Sequence, residues 1–266
     1  MLPTNSTLFI SDLHLSPTAE SLPLFFDFLH HIAPQAHSVY VLGDLFDVWA
    51  GEDLNPDFHA RIHQAFRAVA DRGVTLYFMA GNRDFLVDRA FLKKAKMTLL
   101  ADPTIIELYG QAFLLSHGDR LCTQDLAYQR YRRIAQHPIT KILFRSLPKY
   151  IRAKIAHSLR QKSQLYQSHQ TNKHPAILDV ELSAVLDLMR QYRVQHLVHG
   201  HVHRPQIHTV DPTGQRIVLG DWHESAIIGV CTAQIFSLCS FSQGSILKVT
   251  QSTAIPGLKN SRPHPA

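Results

Sequence analysis

At 266 residues and 45% hydrophobic content the chain is long enough to bury a full core, and its composition excludes a disordered, collagen-like or low-complexity protein. Three cysteines, Cys122, Cys231 and Cys239, are too few and too scattered for a disulfide framework and point to a reducing compartment. The formal charge of +6 is concentrated: positions 120–173 hold twelve Lys/Arg against the acid Asp125, while the remainder holds fifteen basic and twenty acidic residues, so one segment is expected to meet an anionic partner.

No basic stretch followed by an apolar one opens the chain, so no secretory signal is expected. Thr7 to Ile10 is a short β-prone run that predicts a buried strand, and Ser11-Asp12-Leu13-His14 follows at its end. Residues two apart in extended backbone point the same way, so Asp12 and His14 can converge. Leu22 to His31 reads as an amphipathic helix ending before Pro34. Val39 to Leu42 predicts a second strand running into Gly43-Asp44-Leu45-Phe46-Asp47, where the turn glycine sets Asp44 at the strand's carboxyl end. A helix over about 57–71 leads to a third strand, Val74 to Met79, followed by Gly81-Asn82-Arg83-Asp84. After a further helix and a less regular strand around Ile105 to Leu108, Ala112 to Leu115 runs into Ser116-His117-Gly118-Asp119.

The basic segment then interrupts the alternation. Ile139, Ile142, Leu143, Leu147, Ile151, Ile155 and Leu159 recur at steps of three or four with cations between them, which predicts amphipathic helices divided by Pro138 and Pro148. A helix over about Ile177 to Tyr192 is followed by a strand, Gln195 to Val198, ending in His199-Gly200-His201-Val202-His203. Another, Arg216 to Leu219, ends in Gly220-Asp221-Trp222-His223. The uncharged stretch Ser225 to Leu247 is interrupted by serines, glutamines and glycines and reads as two strands in preference to a membrane span. From about Gln251 the periodicity fades and a disordered tail is expected.

Ligands bind at the carboxyl ends of strands in open α/β sheets, so residues that follow separate strands can share one cleft. That rule gathers Asp12, His14, Asp44, Asn82, His117, His201 and His203. This is too many donors for one ion, and it suits two divalent ions with Asp44 as the shared carboxylate. Such a pair, about 3.5–4 Å apart, serves phosphoryl chemistry. Mixed imidazole and oxygen donors favour Mn²⁺, Fe²⁺ or Zn²⁺ over Ca²⁺, and the hard oxygens make Mn²⁺ the expected ion. Asp84, Asp119, Asp221 and His223 are expected to orient ligand imidazoles, Asp47 reads equally as such a support or as a solvated loop acid, and His199 as either a supporting donor or strand core. His30, His31, His59, His63, His157, His169 and His174 read as surface residues.

The ordered set Asp-Leu-His (12–14), Gly-Asp-Leu-Phe-Asp (43–47), Gly-Asn-Arg-Asp-Phe (81–85), His-Gly-Asp (117–119) and Gly-His-Val-His-Arg-Pro (200–205) resembles the calcineurin-like metallophosphoesterases, and within them the hydrolases of UDP-2,3-diacylglucosamine. The resemblance implies an α/β fold, a two-layer αββα metallophosphoesterase sandwich. It divides the chain into a first core part over 1–119, an inserted basic helical cap over 120–175, a second core part over 176–242 and a C-terminal extension over 243–266, largely disordered. It implies that Asp12, His14, Asp44 and His203 surround one ion and Asp44, Asn82, His117 and His201 the other. Asp44, Asn82, Arg83 and His117 are then the catalytic residues, and Asn82, Arg83, Asp125, Ser163, Gln167, Lys173 and His201 meet the substrate. Arg83 stands where most of the wider superfamily carries a histidine able to protonate the leaving group; a guanidinium cannot do so at neutral pH and is expected to neutralise phosphate charge. Water attack at the α-phosphorus of UDP-2,3-diacylglucosamine would give UMP and 2,3-diacylglucosamine 1-phosphate, at the cytosolic face of an inner membrane whose anionic lipids the basic cap touches. The runner-up is a same-fold phosphodiesterase or nucleotide pyrophosphatase with a soluble substrate. Nucleic acid is disfavoured because aliphatic residues outnumber stacking aromatics in the basic segment.

Overall fold

A computed structural model describes residues 2–3, 5–173, 179–212, 214–243 and 247–255, without the side chains of 163, 164 and 166–173. Strands β1 (Thr7–Ile10), β2 (Ser38–Leu42), β3 (Thr75–Met79) and β4 (Met97–Leu100) pair in parallel and in that order. Strands β5 (Thr104–Leu108), β6 (Gln111–Ser116), β7 (His196–His199), β8 (Gln206–Thr209) and β9 (Gln215–Val218) form a second sheet in the order β5-β6-β7-β9-β8, with β6, β7 and β9 mutually parallel. The chain then returns to the first sheet through β10 (Ser225–Cys231), β11 (Ile235–Ser242) and β12 (Lys248–Ala254), which add antiparallel strands beside β1.

Alternation explains why the parallel strands of the first sheet read as apolar runs. Leu8 and Ile10 of β1 face the helices α1 (Leu22–Asp27), α2 (Pro56–Ala70) and α3 (Arg89–Lys94), while Phe9 between them faces the other sheet. Both faces are therefore covered, as parallel sheets require. The core between the sheets is built from Phe9, Tyr40, Leu42 and Met79 on one side and Phe113, Leu115, Val198 and Ile217 on the other. Three helices, α4 (Leu126–Ala135), α5 (Pro138–Ser146) and α6 (Lys149–Lys173), occupy the basic segment, divided at the two prolines. Helix α7 (Leu182–Tyr192) covers the outer face of the second sheet through Val185, Leu188 and Met189. The αββα sandwich expected from the motif order is thus the architecture of the chain.

Several local expectations change. Helix α1 keeps regular geometry only to Asp27, then widens over Phe28–Ile32 and tightens into a last turn, Ala33–Gln35, that takes Pro34 near its start. Helix α7 begins at Leu182, five residues later than the periodicity suggested, and the expected start at Ile177 lies outside the described residues. The short strands β4 and β8 were not anticipated. The tail expected to lack structure instead supplies β12: it pairs with β11, and the Gln251 side chain accepts from Ile207 N–H (2.8 Å) and donates to Ile207 C=O (3.3 Å), tying the first sheet to β8 of the second. The stretch 256–266 lies outside the described residues. Among the described residues no helix is long and apolar enough to cross a membrane, and Ser225 to Leu247 contains β10 and β11 as expected.

Candidate metal centre

The parallel strands of both sheets end on the same rim, and the candidate ligand side chains follow those ends: Asp12 and His14 after β1, Asp44 after β2, Asn82 after β3, His117 after β6, His201 and His203 after β7. The backbone there is strained. Asp12, His14, Asp44, His201 and His203 all have positive φ, between 48° and 72°, a left-handed conformation that non-glycine residues avoid and that functional sites retain. Hydrogen bonds hold it: Asp12 N–H donates to Gly43 C=O (3.1 Å), His14 N–H to Asp44 C=O (3.0 Å) and His201 N–H to Asp12 Oδ2 (2.8 Å). Gly43, at φ +87°, has no room for a side chain, since a Cβ would lie 2.5 Å from His117 Nδ1 and 2.7 Å from Gly81 Cα.

Two triads of donor atoms converge. In the first, His203 Nε2 lies 3.3 Å from Asp12 Oδ1 and 3.3 Å from His14 Nε2; in the second, Asp12 and Asp44 face His117. Asp44 spans the pair, with Oδ2 3.9 Å from His14 Nδ1 and Oδ1 3.7 Å from His117 Nε2. Asp12 belongs to both triads, a sharing that the sequence reading reserved for Asp44. Asn82 Oδ1 is 2.9 Å from His117 Nε2, and the His201 ring packs edge-on against His117 at 5.1 Å.

The donor set suits divalent cations. Asp12 Oδ1 and His14 Nδ1 are buried without a well-aligned hydrogen-bond partner, which a native protein rarely tolerates without a ligand. His117 Nδ1–H donates to Leu42 C=O (2.9 Å) and His203 Nδ1 faces Asp221 Oδ2 (3.2 Å), leaving both Nε2 atoms aimed inward. Burial opposes charge on His117, yet the carboxylates of Asp44, Asp12 and Asp119 raise it to about 9. Burial likewise opposes charge on His203, and Asp12 and Asp221 raise it to about 10. Burial and the Arg83 charge hold His14 well below its ordinary range, and burial with the neighbouring His117 charge lowers His201 to about 4. The centre thus demands positive charge between its carboxylates while keeping two neutral imidazoles as donors, conditions that a cation meets better than protons.

Supporting residues sort differently from expectation. Asp84 is fully buried; its carboxylate accepts from Gly81 N–H (2.7 Å), Leu45 N–H (2.7 Å) and Phe46 N–H (3.4 Å), fastening the loop after β3 to the loop after β2 without touching an imidazole. Burial and the Asp44 charge push it up to about 7. Asp119 accepts from Tyr128 Oη–H and from Arg132 Nε–H (2.7 Å), so it positions α4 and sets the Tyr128 ring over His201, in place of the imidazole-orienting role expected. Asp221 does face His203, and His223 Nε2 lies 3.0 Å from Asp221. His199 is strand core: its Nε2 accepts from Arg216 Nε–H (2.9 Å). His59, read as a surface residue, is buried at the N-terminal half of α2, 4.4 Å from the Trp49 ring, with Nδ1 donating to Glu52 C=O.

Arg83 sits at the edge of the centre. Its N–H donates to Asp44 Oδ1 (2.9 Å), and its Nε lies 3.3 Å from Asp44 Oδ2. Beyond it opens a cavity of ≈ 480 Å³ between the rim and helices α4, α5 and α6, with Asn82, Arg83 and Arg160 at its polar end and Phe85, Phe144 and Leu159 among its apolar walls. Asp125 caps the N-terminus of α4 by accepting from Tyr128 N–H (2.9 Å). Ser163, Gln167 and Lys173 fall on α6 where the side chains lie outside the described residues.

Residues 6–205 match the model of the calcineurin-like phosphoesterases. Among curated relatives, the UDP-2,3-diacylglucosamine hydrolase of Aeromonas hydrophila subsp. hydrophila is 47% identical over 230 residues, covering 85% of this chain and 94% of the relative. The enzyme of the same description from Aeromonas salmonicida is 49% identical over 231 residues, covering 85% and 90%, and that of Pseudomonas fluorescens is 41% identical over 254 residues, covering 94% and 99%. Among solved structures, a dimetal phosphatase from Danio rerio superposes with TM-score 0.50 at 15% identity, covering 94% of this chain and all of that one. The likeness in that last case is one of fold.

Proposed function

This chain belongs to the calcineurin-like phosphoesterase family, and from that premise we propose that it hydrolyses the diphosphate bond of UDP-2,3-diacylglucosamine, releasing UMP and 2,3-diacylglucosamine 1-phosphate for lipid A biosynthesis. It is a metal-dependent hydrolase. The observation that carries the substrate assignment is the apolar cavity of ≈ 480 Å³ that opens onto the carboxylate and imidazole cluster, a volume suited to acyl chains placed beside a reacting diphosphate. A soluble nucleotide would leave those walls in water, which disfavours the same-fold pyrophosphatase.

Asp12, His14, Asp44 and His203 would hold one divalent ion and Asp44, Asn82, His117 and His201 the other, with Asp12 near both; the oxygen-rich set favours Mn²⁺. When bound, such a pair supplies Lewis acidity to phosphoryl oxygens and acidifies water. The chain's own groups then do the rest. Arg83, permanently cationic and already beside Asp44, neutralises charge gathering on the diphosphate. Water adds to the α-phosphorus as the bridging P–O bond breaks, and the electron pair leaves on the phosphate of 2,3-diacylglucosamine 1-phosphate, a stable anion that needs no proton from the protein. This accounts for an arginine where a protonating histidine would otherwise stand. Asp125, Ser163, Gln167 and Lys173 would contact the sugar and diphosphate from the cap.

The outer surface of the cap supports peripheral attachment to the cytosolic face of the inner membrane. Leu126, Ile139, Ile142, Leu143 and Tyr150 are exposed on the cap, together with the exposed cations Arg130, Arg133 and Lys149, the apolar-plus-cationic pairing that anionic lipid headgroups favour. The reading is tested by UMP release from UDP-2,3-diacylglucosamine beside UDP-N-acetylglucosamine, in EDTA and after Mn²⁺ is restored. Turnover of the lipid substrate with Mn²⁺ only is expected, and equal turnover of both substrates or activity in EDTA would overturn it.

A further inference from the structure

Asp47 stands three residues beyond the metal-centre carboxylate Asp44, and its surroundings are not those of a solvated loop acid. Its two oxygens grip Arg160 of α6 as a fork, Oδ2 accepting from Nε–H at 2.9 Å and Oδ1 lying 2.6 Å from Nη2. The same Oδ1 is 3.5 Å from Nη1 of Arg83. All three side chains are half-buried or deeper, at 24% exposure for Asp47, 23% for Arg160 and 12% for Arg83, so the pairs are partly shielded from water.

The backbone on both sides is tied down. Asp47 N–H donates to Leu15 C=O (3.0 Å), one residue from His14, and Trp49 N–H donates to Arg83 C=O (3.1 Å). Helix α6 meets this loop along one stripe: Arg152 donates to Ala50 C=O and Asp53, Ala156 is buried, and Arg160 takes Asp47, at spacings of four residues. That stripe fixes where Ile155 and Leu159 stand in the apolar cavity.

We propose that Asp47 is a positioning residue that couples Arg83 at the reacting diphosphate to the seating of α6 over the acyl cavity. One carboxylate is shared by two guanidinium groups. When an anionic phosphate draws Arg83 toward itself, Asp47 is left wholly to Arg160, and the helix that walls the cavity is held more firmly against a loaded site. The coupling rests on the reading of Arg83 as a phosphate-binding group, whereas the seating of α6 does not.

The test uses the full chain with Mn²⁺ and the variants Asp47→Ala, Asp47→Glu, Arg160→Gln and Asp47→Ala/Arg160→Gln. Amide hydrogen exchange over 149–162 is measured without substrate, and UMP release gives kcat and KM for UDP-2,3-diacylglucosamine. Asp47→Ala is expected to speed exchange in that stretch and to raise KM about tenfold with a smaller fall in kcat, Asp47→Glu to recover much of both, and the double variant to be no worse than the more affected single one, the non-additivity of groups in one contact. If Asp47→Ala fails to fold, Arg160→Gln probes the same latch from the helix side. Unchanged exchange, or losses that add in the double variant, would overturn the inference. A wild-type protein that releases no UMP would sink the substrate reading instead, while the exchange comparison would still decide whether Asp47 seats α6.

Discussion

Asp84→Ala removes a fully buried carboxylate that accepts from Gly81 and Leu45 N–H at 2.7 Å each and from Phe46 N–H at 3.4 Å. The two short bonds leave two buried donors unpaired, at about 1–3 kcal/mol each. The expected destabilisation is therefore about 2–6 kcal/mol, or a fall in Tm of roughly 4–24 °C for a domain of this size. Because those donors belong to the turns that present Asp44 and Asn82, Mn²⁺ affinity should drop about 10–100-fold, as for other supports of ligand residues. Asp84→Asn restores one acceptor but turns an N–H₂ toward the other donor, so it should fall between the alanine variant and the wild type. Thermal unfolding gives the first quantity and calorimetric titration of the metal-free protein with Mn²⁺ the second. A Tm within 2 °C of wild type (about 1 kcal/mol or less) together with unaltered Mn²⁺ affinity would refute the argument that this carboxylate staples the two ligand loops.

Asp12→Ala should abolish binding of both ions, since Asp12 lies in both donor triads, whereas His14→Ala should weaken one; metal content after gel filtration distinguishes them. Gly43→Ala combines a φ of +87° with a Cβ placed 2.5 Å from His117 Nδ1, and a stability loss of about 2 kcal/mol or more is expected in urea unfolding. His59 is held below its ordinary value of 6.5 by burial, so the unfolded chain takes up its proton first as pH falls. Its contribution is complete above about pH 6.5 and is lost progressively below it, and His59→Phe should flatten the fall of Tm between about pH 7 and 5. Leu159→Asp places a charge in the wall of the apolar cavity; it should raise KM for the diacyl substrate while leaving metal content unchanged.

Chain order and local chemistry were enough to read most of the fold. The strands β1, β2, β3, β6 and β7 carry short apolar runs because each is covered on both faces, and a candidate polar ligand follows each of them because the strand's end is where the chain must turn. Burial of one face against helices and the other against a second sheet leaves that signature in consecutive residues, so no partner needs to be known. The seven candidate donors stand at strand ends for the same reason. Short strands such as β4 and β8 carry too few residues for a period to show, and β12 looks unpatterned because as an edge strand it exposes most of its side chains.

What the linear order could not decide are the relations between residues far apart in it. Asp47 and Arg160 are separated by 113 positions, and nothing near either one marks it as a partner of the other. Asp119 looked like a support for an imidazole until α4 brought Tyr128 and Arg132 against it, and His59 looked like one more surface histidine until Trp49 covered it. Residue type and strand-end position determine which groups can bind a cation or a phosphate, because those depend on chemistry and on where the backbone turns. Which carboxylate serves an ion, which a helix and which a loop depends on desolvation and on distances of a few ångströms, and these arise only when the sheets and the cap close on one another.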